Sequence, residues 1–174
     1  KIGIVGRGFV GSAVEFGFSP NVGCDADVRV HDKDPNKSLH SLEETVNQSD
    51  FIFVSVPTPA NADGSINLDV VYQAFEDIAR VNNRKDNVIL LRSTVVPGTT
   101  RKISELNPNL NIVFNPEFLT ERTAKLDMLT QSRIILGGEL LLTEEAKVLF
   151  NQRFKIQNII QTDSKTAELT KYMN

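Results

Sequence analysis

One cysteine, Cys24, no tryptophan and only two histidines stand among the 174 residues. A lone thiol excludes an internal disulfide, so the core must be held by apolar burial, and Cys24 reads as a structural residue. Cysteine and histidine do not fall at metal-ligand spacing, and no metal site is expected. No apolar run approaches the roughly 20 residues that span a bilayer, so no membrane partner is expected. Neither sign of charge dominates: 19 basic residues against 22 acidic ones leave a net charge of −3, with Lys and Arg scattered along the chain. That pattern offers no phosphate-backbone footprint, and a nucleic-acid partner is disfavoured. A β-like run starts at Ile2, leaving no room before it for a basic segment followed by the apolar stretch of a secretory signal, which points to a cytoplasmic location. Hydrophobic residues make up 40% and charged residues 24%, as in globular domains. The length suits one domain with a sheet covered on both faces, and a second complete domain does not fit.

What is present begins at once. Ile2-Gly3-Ile4-Val5 runs into Gly6-Arg7-Gly8-Phe9-Val10-Gly11, and Asp32 closes a second β-like run about twenty residues on. In a G-x-G-x-x-G turn between strand and helix, the first glycine makes the tight turn and the second admits a pyrophosphate close to backbone. The third lets the helix pack against the sheet. Unpaired N–H groups at the helix N-terminus then favour the anion without a charged side chain. Gly6, Gly8, Phe9, Val10, Gly11 and Asp32 are accordingly candidate dinucleotide contacts.

β-Branched runs recur at 27–31, 51–56, 87–91, 111–114, 133–136 and 158–161, and helical periodicity alternates with them. Helices are predicted over 9–18, 41–48, 68–80 with Asn67 as N-cap, 97–106 with Pro97 in the first turn, 143–150 capped by Thr143, and 165–174. This βαβα order predicts an α/β fold with a doubly wound parallel sheet of Rossmann type, whose ligand crevice lies beyond the carboxyl ends of the strands. Polar and proline-rich segments fall at those ends: Pro57-Thr58-Pro59, Ser93-Thr94, and Asn115-Pro116-Glu117-Phe118-Leu119-Thr120-Glu121. Each has a plainer reading: Pro57 and Pro59 can simply end a strand, and Ser93-Thr94 can cap the next helix. Their shared position along one sheet edge favours a site. The last helical run has no glycine or proline stop, which suggests an N-terminal piece of a longer protein: a dinucleotide domain over 1–162, and over 163–174 the start of a connecting helix.

These landmarks, with Val56-Pro57-Thr58-Pro59 leading to Asp63-Gly64-Ser65, Ser93 through Thr100, and Ala167-Glu168-x-x-Lys171-Tyr172, resemble the NAD-binding domain of the UDP-glucose/GDP-mannose dehydrogenase family along essentially the whole chain. The Asn-Pro-Glu-Phe-Leu-x-Glu segment is the most discriminating. The resemblance implies oxidation of the C6 alcohol of a UDP- or GDP-linked sugar to a carboxylate by two NAD in succession, the aldehyde being trapped on a cysteine as a thiohemiacetal and then a thioester. It implies that Thr94 helps hold the attacking water, that Glu117 is a base for hydrolysis, that Lys171 stabilises an oxyanion at C6 and that Glu121 positions the cofactor. It places Asp32 on the adenosine ribose, favouring NAD over NADP, with Lys37 nearby. Val56, Thr58, Ser93 and Thr94 then line the groove. The family's catalytic cysteine belongs to a later domain, so this piece alone is expected to be inactive, and its longer parent a homodimer.

Some residues depart from the pattern. Asn174 stands three residues after Lys171 where the family has an asparagine four after, residues 18–27 form a longer link than usual, and Arg122 replaces a small residue. A β-hydroxyacid dehydrogenase-type NAD domain shares the glycine loop and the lysine helix, and a non-catalytic NAD-binding module is a further reading.

Overall fold

Val88-Ile89-Leu90-Leu91 is buried along its whole length, as a strand must be when helices cover both faces of its sheet. The computed structural model describes residues 1–154 and 158–173. Its strands are β1 (Ile2–Val5), β2 (Val28–His31), β3 (Phe51–Val54), β4 (Val88–Leu91), β5 (Asn111–Phe114), β6 (Arg133–Gly137) and β7 (Asn158–Thr162). Its helices are α1 (Phe9–Gly17), α2 (Leu42–Asn47), α3 (Asp69–Val81), α4 (Thr99–Leu106), α5 (Ala124–Thr130), α6 (Leu140–Arg153) and α7 (Ser164–Thr170). The strands form one sheet in the order β2-β1-β3-β4-β5-β6-β7. No described helix is long and apolar enough to cross a membrane.

Parallel register sorts the core by the two-residue period of a strand. Ile4, Phe53, Leu90 and Val113 lie side by side across β1, β3, β4 and β5 and pack under α1 and α6 with Phe18, Phe150 and Phe154. The next row, Val5, Val54, Leu91 and Phe114, faces the other way, against Val46 of α2, Phe75 and Ile78 of α3, Ile103 of α4 and Ala167 of α7. A one-residue slip in any central strand would exchange the two sets.

The predicted doubly wound architecture is present, with one junction of opposite sense. β6 pairs antiparallel with β5 through Phe114 and Gly137, while β6 and β7 are parallel to each other. The connection 115–132 contains only the seven-residue α5, about 10 Å of helix, which packs beside α1 and does not carry the chain back across the sheet. That helix escaped the sequence reading, as did a 3₁₀ turn at Pro20–Val22.

Several element ends differ from expectation for local reasons. The third helix begins at Asp69 with Leu68 at the N-cap; Asn67 sits one residue outside, its Oδ1 accepting from the Asp69 N–H at 2.8 Å. Pro97 precedes α4, whose N-cap is Gly98 at φ 97°. Thr143 does not cap α6: the helix starts at Leu140, and Thr143 lies buried in its first turn with Oγ1 donating to the Leu140 carbonyl. The last helix is capped by Asp163 and ends at Thr170, short of the predicted run, with Lys171 at its C-cap and a turn following; Asn174, the predicted end, lies outside the described residues.

Candidate functional site

Strand order reverses between β1 and β3, so the loops leaving these strands diverge and open a crevice at their carboxyl ends. A groove of about 450 Å³ occupies it. Gly6, Gly8, Phe9 and Val10 from the β1 exit, Asp32 and Lys37 beyond β2, and Ser55 through Thr58 beyond β3 line one side. Arg92, Ser93 and Thr94 beyond β4 and Glu117 beyond β5 complete it. An apolar recess of about 320 Å³ adjoins the Asp32 end, walled by Leu42, Val70 and Ala74. A larger cavity, about 620 Å³, lies between α4, β5 and the start of α6, but it shares no residue with the glycine loop and gathers no comparable cluster of buried charge.

Backbone geometry fixes the glycine loop. Gly6 has φ 92°, and a Cβ there would stand 2.4 Å from the Ser55 carbonyl oxygen; one at Gly11 would stand 1.9 Å from the Gly6 oxygen. Only glycine lets α1 start this close to the strands. At Gly8, by contrast, a Cβ would enter open space, and α1 has neither a side-chain cap nor an acidic residue in its first turn. The N-terminal N–H groups of α1 therefore face a cradle of the kind that takes a pyrophosphate. Gly11, buried beneath, shapes this cradle without lining the groove.

Asp32 is already engaged by backbone: its Oδ2 accepts from the Arg7 N–H at 2.6 Å and its Oδ1 from the Asp34 N–H at 2.8 Å. A carboxylate offers about four acceptor positions, so the remaining lone pairs are available to paired hydroxyls. Arg7 turns away from the groove into a bidentate pair with Glu15, Nε to Oε2 at 2.8 Å and Nη2 to Oε1 at 2.7 Å. Its Nη1 also donates to the Lys37 carbonyl, tying the glycine loop to the segment after β2.

At the other end, Ser93 Oγ donates to the Val56 carbonyl and accepts from the Val56 N–H, fastening the β3 and β4 exits together. Glu117 is 7% exposed and Lys171 17%; Lys171 Nζ donates to Glu117 Oε1 at 2.6 Å and also to the Glu117 carbonyl. Glu117 Oε2 accepts from the Leu119 N–H at 2.7 Å. α7 is held beside these residues by Glu168, which is fully buried. Glu168 accepts from the Gly98 N–H at 2.5 Å, the Thr100 N–H at 2.7 Å and Thr100 Oγ1 at 2.6 Å. Tyr172 Oη donates to the Val95 carbonyl at 2.9 Å. The short α7 and the two residues that follow it thus fix both the loop carrying Ser93 and Thr94 and the ion pair at Glu117.

Arg92 is a site residue that the sequence reading missed. It is 2% exposed, its Nη1 donates to Asn115 Oδ1 at 2.5 Å, and its guanidinium lies 5.8 Å from the centre of the Phe53 ring. Asn115 is itself fixed by Nδ2 donating to the Ile135 carbonyl. Arg92 Nε has no hydrogen-bond partner among the described residues. Burial pulls the guanidinium down to about 10, with Glu117 acting in the opposite sense, and at neutral pH it remains fully charged. A charge following four apolar strand residues was the signal in the sequence.

Of the predicted site residues, the groove brings together Gly6, Gly8, Phe9, Val10, Asp32, Lys37, Val56, Thr58, Ser93, Thr94 and Glu117, with Lys171 bonded to Glu117. Glu121 is not among them. It is exposed, in the turn leading into α5, because 120–123 peel away from the sheet edge to begin that helix.

Over residues 37–155 the chain matches the model of the UDP-glucose/GDP-mannose dehydrogenase family, NAD binding domain. It is 33% identical to an uncharacterised protein of Methanocaldococcus jannaschii, over 99% of this chain and 23% of that protein. It is 32% identical to a UDP-glucose 6-dehydrogenase of Campylobacter jejuni, over 98% of this chain and 50% of that enzyme. Among solved structures, a UDP-glucose dehydrogenase from the archaeon Pyrobaculum islandicum superposes with a TM-score of 0.84 at 25% identity, covering 99% of this chain and 48% of that one. The chain spans half or less of the length of each of these relatives. It belongs to the UDP-glucose/GDP-mannose dehydrogenase family as a Rossmann-type NAD-binding domain of the oxidoreductase kind, and NAD is its cofactor.

Proposed function

We infer that the chain is the NAD-binding half of a nucleotide-sugar 6-dehydrogenase, in which residues 1–162 hold the cofactor and 163–174, with α7, begin the connection to a sugar-nucleotide domain. The observation that carries this reading is the buried Lys171–Glu117 pair beside Thr94, at the end of the groove away from Asp32. A dinucleotide laid along the crevice would place its adenosine ribose at Asp32, which repels a 2′-phosphate, its pyrophosphate at the α1 N-terminus, and its nicotinamide at the charged end.

NAD supplies the hydride acceptor. Of the chain's own residues, Lys171 would donate a hydrogen bond to the oxygen that develops negative charge at the sugar C6, and Glu117 would take a proton from water held with the help of Thr94, while the cysteine that traps the aldehyde would come from the later domain. Residue by residue these roles are carried by the family resemblance, and the positions of the side chains are compatible with them. Lys37 lies at the ribose end, exposed at the groove mouth. Glu121 does not line the groove, and its role toward the cofactor rests on the family resemblance alone. The parent protein would work as a homodimer in the cytoplasm.

The test is to supply the chain with NAD and, in turn, UDP-glucose, GDP-mannose and a small β-hydroxyacid, following NADH absorbance. Cofactor binding without sustained turnover is expected, because the trapping cysteine lies elsewhere. Sustained sugar-dependent NADH formation would contradict the division of labour, and turnover of the hydroxyacid would favour the β-hydroxyacid dehydrogenase reading.

A further inference from the structure

The charges lining this end of the groove, with Lys171 bonded to Glu117, leave one cation over; the buried carboxylate of α7, Glu168, is turned away to the Gly98 and Thr100 N–H groups and does not line the groove. Lys171 and Glu117 neutralise each other across 2.6 Å, and Arg92 adds one positive charge, held beneath the groove by Asn115 and by the face of Phe53. Asn115 contributes an amide oxygen and no charge, and its own amide group is spent on Ile135. Arg92 is fixed, almost without exposure, with one N–H unpartnered among the described residues. The hydrogen bonds of the glycine loop and of the Lys171–Glu117 pair do not include it, and Glu117 acts on it only through space. A buried cation kept at a cost to the fold, lining a ligand groove, points to a charge-selective task there.

We propose that Arg92 is an electrostatic bias on the cofactor, making this groove hold the reduced dinucleotide more tightly than the oxidised one. This rests on the reading that the nicotinamide lies at the Arg92–Glu117 end. When the ring accepts a hydride, two electrons and a proton arrive together and its charge falls from +1 to zero. With the ring at this end, the fixed positive charge of Arg92 would repel the oxidised form and leave the reduced form unopposed. At the screening typical of protein sites, one charge a few ångströms away changes such an equilibrium by roughly tenfold or more. Such a bias draws hydride transfer forward, and its consequence is slow release of the reduced cofactor.

Affinities of the chain for NAD⁺, NADH and ADP-ribose, measured side by side by calorimetry, test this without catalysis. NADH is expected to bind about tenfold more tightly than NAD⁺, equivalent to about 1.4 kcal/mol, with NAD⁺ binding no better than ADP-ribose, which lacks the ring. Arg92→Met should abolish the preference, and Arg92→Lys, which keeps the charge, should retain most of it. If Arg92→Met does not fold, the three affinities of the unaltered chain decide. Equal or tighter binding of NAD⁺, or an unchanged NADH preference in Arg92→Met, overturns the proposal. Failure of all three ligands to bind overturns the groove assignment itself, a result distinguishable from loss of the bias alone.

Discussion

Replacing Glu168 by Ala would remove a carboxylate that no water reaches and leave three donors behind: the Gly98 and Thr100 N–H groups and the Thr100 hydroxyl. Thr100 is 2% exposed, so solvent cannot simply replace the lost acceptor. Hydrogen bonds to a charged group are worth about 1.5–3 kcal/mol each, but three that share one carboxylate are not additive, and deleting it also relieves its own desolvation. A net loss of about 3–4 kcal/mol follows, including the favourable placement of a negative charge at the N-terminus of α4. For a domain with about 5–15 kcal/mol in hand that is a large share, and at about 2–4 °C per kcal/mol it lowers the melting temperature by roughly 10 °C. Glu168→Gln should cost about 1–2 kcal/mol, since the amide oxygen still accepts while its NH₂ opposes one donor. Urea unfolding followed by circular dichroism gives both values. An alanine variant within about 0.5 kcal/mol of the unaltered chain, or a glutamine variant as unstable as the alanine one, would refute the claim that α7 is fastened to α4 through this side chain.

Lys171→Met should cost about 2–4 kcal/mol, less than the full penalty for stranding a buried charge because Arg92 also faces Glu117. Adding Glu117→Gln should restore much of that loss, and a double variant no more stable than Lys171→Met would contradict the pairing. Asp163 is held below its ordinary 3.8 by hydrogen bonds from the Thr166 side chain and N–H. Its contribution is therefore complete above that ordinary value and is lost as pH falls through the depressed one. Asp163→Asn keeps a cap but no titrating group, so its stability should fall less steeply than that of the unaltered chain below about pH 4; parallel acid limbs would count against this.

The rows of the core were legible because each strand is a short β-branched run and because both faces of the sheet are apolar. The glycine loop was legible because its three glycines answer to three separate steric demands, two of which the structure displays as near-collisions for any Cβ at Gly6 and Gly11. Helix α6 was misjudged at its start because Leu140 and Leu141, 69% and 78% exposed, break the amphipathic pattern that marked Thr143 as a boundary. The antiparallel turn into β6 depends on the length of α5, and polar residues before and within that helix hid it. Long-range contacts were the least visible. Glu168 stood in a recognised segment, yet its partners at Gly98 and Thr100 lie about seventy residues away, and no periodicity reports such a bond. Arg92 carried a local signal, a charge at the end of an apolar strand, but its meaning required Phe53 and the Asn115–Glu117 segment to converge from two other places in the sequence.

The groove from Asp32 to Glu117 is the proposed NAD site on which every other role depends. Calorimetric titration of the chain with NAD and with NADP tests it. One saturable site that favours NAD, with the preference weakened in Asp32→Asn, is the predicted result; equal or tighter binding of NADP, or no binding of either, would contradict it.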